Sequence, residues 1–306
     1  MSGDREHVVR VVLCAPVPSE IPVGSSVNVG VQVSCAAGCD LAGMPLAVIA
    51  PDGTQATAHL DGDACKLTLT APAEAGQHRW RIATPTHETG GVVHAPATLD
   101  VAIATRPHHT SLAVWAIPDA AVAGAPFSIK AGVKCAEGCA LRGQRIDIVD
   151  ANSTVLASRQ SGDAPWAGTS ALYWAELTLS APPREGLATL AAATDATTQG
   201  LAHHGASSSF TVAVVRPPEH TLTVKVIAKD TAAPIADADI RLGAYRAATD
   251  PSGRAELRIA GGAYELHVWK AGYETPTTAL DIRGDTSVQI AAVELPEEEP
   301  DARWKM

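Results

Sequence analysis

Two short stretches carry paired thiols, Cys35-Ala-Ala-Gly-Cys39 and Cys135-Ala-Glu-Gly-Cys139. A Cys-x-x-x-Cys pair opens three chemistries. Two such pairs supply four thiolates, a zinc set, provided that the pairs face one another. A local disulfide across either loop, with Gly38 or Gly138 turning the backbone, would stabilise by roughly 2 kcal/mol in the loop-entropy model. In a reducing compartment the thiols stay free. The two pairs sit at matching places in separate modules, so bringing them together requires an unusual apposition. Cys35, Cys39, Cys135 and Cys139 are therefore read as disulfide candidates, with no metal ligand and no cofactor assigned. Cys14 and Cys65 fall in strand-like runs and read as small buried hydrophobes.

Eleven histidines extend the search. His7, His109 and His220 each stand just ahead of a unit's first strand and read as imidazoles that pack or hydrogen-bond across a seam. His94 and His204 match under an offset of 110. The neighbours His108-His109 and His203-His204 point to opposite faces of a strand and cannot chelate as pairs. A histidine site built at the joints is the remaining metal-based alternative. No His-Glu-x-x-His occurs, since His87-Glu88 lacks its second histidine, and there is no Gly-x-Ser-x-Gly elbow, phosphate loop or dinucleotide fingerprint. No catalytic residue is assigned.

The elements that must position these groups come in repeats. Val33-Ser-Cys35 through Gly43 returns as Val133-Lys-Cys135 through Gly143 at an offset of 100, with Pro18 and Gly24 answered by Pro118 and Gly124. That is a tandem repeat. Val27, Val29, Val31 and Val33 alternate with polar or small residues, the period of a half-buried strand. Residues 8–15, 45–50, 66–70, 78–82 and 97–104 add short strands, and Pro51-Asp52-Gly53 marks a turn. The spacing predicts a β-sandwich for each repeat. Further on the offset grows to 110, so the second repeat holds an insertion that includes Trp166-Ala-Gly-Thr-Ser-Ala-Leu-Tyr173-Trp174. In a chain with 4% aromatics this is the best candidate contact surface, with sandwich-core packing the competing account. The Pro-containing joints at 106–110 and 216–221 are stiff.

The third part has a different signature: Ala233-Pro234-Ile-Ala-Asp-Ala238, then Thr249-Asp250-Pro-Ser-Gly253-Arg254, then Gly262-Ala-Tyr264-Glu-Leu266-His-Val268, then Gly272-Tyr273. These motifs resemble the carboxypeptidase regulatory-like domain, a transthyretin-like β-sandwich, over about residues 220–293. The resemblance implies a seven-stranded sandwich and an accessory role. The first two units look like immunoglobulin-like modules of no narrower family.

Bulk numbers close off other classes. Hydrophobic residues at 46% against 18% charged exclude a disordered chain, and a net charge of −10 argues against a nucleic-acid groove. No apolar window is long enough to span a membrane as a helix. The first residues read as a strand rather than a signal peptide, which places the chain in the cytoplasm, or outside it if a leader was removed. Asn152-Ser-Thr154 matches a glycosylation sequon, read as coincidence.

The expected architecture is all-β: immunoglobulin-like sandwiches at 1–105 and 106–217, a carboxypeptidase regulatory-like sandwich at 218–296 and an acidic tail at 297–306. The expected function is non-catalytic interaction or scaffolding, as an accessory subunit with a protein partner anchored by Trp166, Tyr173 and Trp174. The alternatives are an extracytoplasmic adhesion or carbohydrate-binding protein, and a metal-dependent enzyme with a site at domain seams.

Overall fold

Every regular element among the described residues, 6–198 and 200–296 of this computed structural model, is a β-strand. The acidic tail and Trp304 lie outside the described residues.

The first repeat packs two main sheets, with a small third sheet of Glu6–His7, Val92–His94 and His87–Thr89 at one end. One orders Val9–Leu13, Ser26–Cys35 and Ala64–Thr70; the other orders Glu20–Pro22, Ala97–Arg106, Gly76–Thr84, Pro45–Ile49 and Gln55–His59. The alternating pattern does what its period requires. Val29, Val31 and Val33 point inward with Leu67, Leu69, Trp80, Ile82, Val101 and Ile103, all 4% exposed or less. The second repeat copies this order with Thr110–Trp115, Pro126–Cys135 and Leu172–Ser180 in one sheet. Ala121–Val122, Ala206–Val215, Gly186–Thr194, Arg145–Val149 and Val155–Gln160 form the other.

The C-terminal module pairs His220–Ala228 with Arg254–Ile259 on one side and, in parallel, with Thr286–Glu294 on the other. A second sheet orders Tyr245–Ala248, Asp239–Leu242, Gly262–Trp269 and Thr278–Ile282. The hairpin expected at Asp250-Pro-Ser-Gly253 forms. Gly253 has φ +73° and donates its N–H to Asp250 O at 2.9 Å. A Cβ there would stand 2.5 Å from Val226 O, so the position requires glycine twice over.

By contacts the chain falls into two compact units that do not follow the repeat boundary. One runs to Ser111 and takes in Lys134–Ala140 and Asp195–Ala206; the other holds Leu112–Val133, Leu141–Thr194 and the chain from Ser207. The thiol loop of the second repeat thus belongs to the same body as the first repeat.

Two expectations need correction. Cys14 is exposed and Cys65 half-buried. Cys14 lies beyond Leu13 and bonds Gly30 O through its backbone N–H, past the inward-facing Val9 and Val11. Strands too short or too polar to show alternation carry no sequence signal, including the exposed edge Gln55–His59 and the three-residue strands His87–Thr89 and Val92–His94.

Candidate metal centre

The sandwich end of each repeat gathers two cysteines and two histidines. In the first repeat Cys35 closes the Ser26–Cys35 strand, and a tight turn returns Cys39 to its side, with Gly38 at φ +75° donating to Cys35 O at 2.9 Å. Above the turn, Glu6–His7 pairs in parallel with Val92–His94, so that His7 and His94 are register partners. The Ala36 N–H holds the thiol loop to Val8 O at 3.1 Å. These elements converge on His7, Cys35, Cys39 and His94, whose ligand atoms all lie within 4.8 Å of one another.

The second repeat rebuilds the arrangement with His108, Cys135, Cys139 and His203, again within 4.8 Å. Gly138 takes φ +75° and donates to Cys135 O, Ala136 N–H bonds His109 O, and His108 and His203 are bridge partners. The distances repeat as well. His7 Nδ1 stands 3.1 Å from Cys39 Sγ and 3.7 Å from Cys35 Sγ; His108 Nδ1 stands 3.1 Å from Cys139 Sγ and 3.6 Å from Cys135 Sγ.

Tetrahedral zinc with two sulfur and two nitrogen ligands sets ligand–ligand edges of about 3.3–3.8 Å. The imidazole-to-thiol edges, 3.1–3.7 Å, lie near that spacing, and no edge of either set exceeds 4.8 Å. The rings are also committed in the right sense. His203 donates Nδ1–H to Leu201 O at 2.7 Å, His94 directs Nδ1 at His87 O at 3.3 Å, and His108 gives Nε2–H to Val23 O at 2.9 Å. A neutral imidazole that donates from one nitrogen keeps a lone pair on the other, the usual outer arrangement of a metal-bound histidine. In His94 and His203 that other nitrogen, Nε2, is buried and has no hydrogen-bond partner. The residues are only 1% and 6% exposed, so such an orphan is costly unless something occupies its lone pair. The donor set and the orphaned nitrogens both fit a soft divalent ion, zinc first.

The thiols differ in their titration. Burial works against a thiolate at Cys35, but N–H groups of Ala37, Cys39 and Gly38 directed at its sulfur bring it below the usual thiol range. Cys39 is raised, chiefly by its hydrogen bond to Cys35. Burial and the neighbouring Cys135 push Cys139 up to about 11. Burial lowers His203, favouring the neutral ring that a metal requires.

All six cysteines are free. The disulfide candidates Cys35 with Cys39 and Cys135 with Cys139 stand instead as thiol pairs, each met by two histidines of its own repeat. The apposition of the two Cys pairs, which a four-thiolate site would have needed, is not required. Of the histidines singled out by position, His7 and His94 enter a cluster, while His109 and His204 are exposed, their rings 5.4 Å apart. The true counterparts are one residue earlier, His108 and His203. His220 belongs to neither set. The signal that could have found them is the four-residue combination itself, His, Cys, Cys and His in the same chain order in both repeats.

The proposed aromatic anchors separate. Tyr173 is 7% exposed and faces the core, because it neighbours the outward Trp174 on one strand. Trp166 and Trp174 meet at 4.9 Å and 89°, with Trp115 5.2 Å from Trp166, and Lys130 Nζ lies 4.9 and 5.4 Å from the Trp166 and Trp174 rings.

No family model matches the chain, and no curated protein matches it significantly. Among solved structures it is similar to the fibronectin(III)-like modules of Clostridium thermocellum CbhA, at 13% identity and TM-score 0.25, covering 67% of this chain and 95% of that one. The ICAM-5 D1–D4 ectodomain fragment gives 13% identity and TM-score 0.33, over 94% and 76%. BcpA, the major pilin subunit of Bacillus cereus, gives 10% and 0.22, over 82% and 95%.

Proposed function

We propose that this is a non-catalytic interaction or scaffolding protein whose first two sandwiches, 1–105 and 106–217, are each closed at one end by a structural zinc site. The observation that supports it is the number of ligands. Four protein donors fill a tetrahedral ion, whereas a catalytic site keeps one position open for water or substrate. Such an ion ties the segment ahead of the first strand of the three-stranded main sheet, the thiol loop and the segment ahead of the last strand into one rigid end, leaving the lateral faces and loops for a partner.

Under this reading His7, Cys35, Cys39 and His94 hold one ion and His108, Cys135, Cys139 and His203 hold the other. The thiols must stay reduced, the state that a cytoplasmic environment maintains. The half-exposed Trp166 and Trp174 are the proposed partner anchors, and the module at 218–296 serves as an accessory sandwich of the carboxypeptidase regulatory-like kind.

The test is metal analysis of protein purified under reducing conditions, joined to a cobalt(II) spectrum and a pull-down. Two equivalents of zinc, a tetrahedral thiolate spectrum and a stoichiometric protein partner support the reading. Absence of bound metal after reconstitution, or a five-coordinate spectrum with exchangeable water, overturns it.

A further inference from the structure

We infer that the metal site of the second repeat is also the clamp that holds this end of the second repeat against the first. The inference rests on the zinc reading above and concerns what the ion does beyond its own module.

Three contacts cross between the repeats within one compact unit. His108, a ligand at Nδ1, donates Nε2–H to Val23 O at 2.9 Å in a buried bond. The Ala202 N–H, next to the ligand His203, bonds Ala73 O at 3.1 Å. Leu201, whose carbonyl anchors the His203 ring, seats its side chain on Gly24. A Cβ at Gly24 would stand 2.6 Å from Leu201 Cδ2, so the glycine is the socket for that leucine. Gly124 holds the same place in the second repeat with a similar φ, +73° against +68°, yet meets nothing within 4 Å. The turn conformation alone therefore does not account for the close approach at Gly24.

The coupling is a matter of tautomers. An ion on Nδ1 of His108 forces the proton of the neutral ring onto Nε2, the only arrangement that donates to Val23 O. Without the ion, the neutral ring can carry its proton on Nδ1, and a bare Nε2 lone pair then faces the carbonyl. Metal occupancy and docking thus favour each other, and the coupling must act equally in both directions.

The experiment uses the whole 306-residue chain loaded with zinc. Leu201→Ala removes the plug without touching a ligand, and Gly24→Val blocks the socket from the first repeat. Competition with a chelator, read by cobalt(II) absorption, measures each site in Cys35→Ser and Cys135→Ser backgrounds, where only one site remains. Both substitutions are expected to weaken the second site roughly tenfold, as loss of outer-shell support does, and to leave the first site within twofold. The reciprocal readout is amide exchange at Ala202, expected to quicken at least tenfold when zinc is stripped from the Cys35→Ser protein.

An unchanged second site in Leu201→Ala, with Ala202 equally protected with and without zinc, overturns the clamp. If Gly24→Val disrupts the first repeat, Leu201→Ala alone decides. A wild-type protein that binds no zinc removes the underlying reading instead, so the two failures are distinguishable.

Discussion

The imidazoles of His108 and His203 stand edge to face, with centroids 5.2 Å apart and planes at 88°. His7 and His94 repeat the relationship at 5.8 Å and 85°. In each pair one ring presents Nδ1 to the thiols while the other has its Nε2 buried and unpartnered. Each repeat should therefore load one ion independently. Cys35→Ser and Cys135→Ser are each expected to drop zinc from two equivalents to one, and the double variant to none, as measured by elemental analysis after dialysis. Chelation should destabilise the repeats by about 4 kcal/mol per site where free zinc had stood a thousandfold above Kd, lowering their melting temperature, and leave the C-terminal module unmoved. Calorimetry with and without chelator checks this.

The same hairpin in the two repeats carries a glycine in one and a serine in the other. Gly53 has φ +85° and Ser153 has φ +63°, each donating its N–H to the residue three before it, Ala50 or Asp150. A left-handed backbone strains serine by roughly 1 kcal/mol, partly offset by the extra freedom that glycine gives the unfolded chain. Ser153→Gly is expected to stabilise the second repeat by up to about 1 kcal/mol, read from the denaturant midpoint at constant m-value.

Lys130 supports the tryptophan cluster through cation–π contact with Trp166 and Trp174. Lys130→Met keeps the stem and removes the charge. The expected loss is about 1 kcal/mol, with a shift in tryptophan emission. An unchanged unfolding midpoint would show the ammonium to be idle there.

The Asp250 carboxylate is held below the usual range by the Ser252 hydroxyl and by the N–H groups of Arg254 and Ser252. A depressed folded value adds stability above the unfolded carboxylate pKa near about 4, and that stability fades as pH falls through the folded value. Asp250→Asn is expected to flatten the acid limb of the C-terminal module's stability below about pH 4, as followed by urea melts across that range.

Much of this architecture could be read from residues alone because its causes are local. The valines of Ser26–Cys35 alternate, so their strand and its buried face follow from a period of two. The duplicated thiol loop exposed the repeat, and Asp250 to Gly253 announced their hairpin. The metal centre could not be read in that way. Val92–His94 spans three residues, and His108 and His203 meet through a single bridge, too short for any periodicity. The insertion also shifted the offset between the thiols and the second histidine. That offset aligns His94 with His204, while the fold aligns it with His203. Tyr173 and Trp174 are adjacent on one strand and so cannot share one surface, which leaves Tyr173 on the core side that the sequence kept as the alternative.

The two rings that face inward are tethered unequally, His203 to Leu201 O at 2.7 Å and His94 to His87 O at 3.3 Å. The shorter tether would hold an ion in the second repeat more firmly, so zinc is expected to leave His7, Cys35, Cys39 and His94 first. The expected half-depleted form then carries a single ion, held by His108, Cys135, Cys139 and His203.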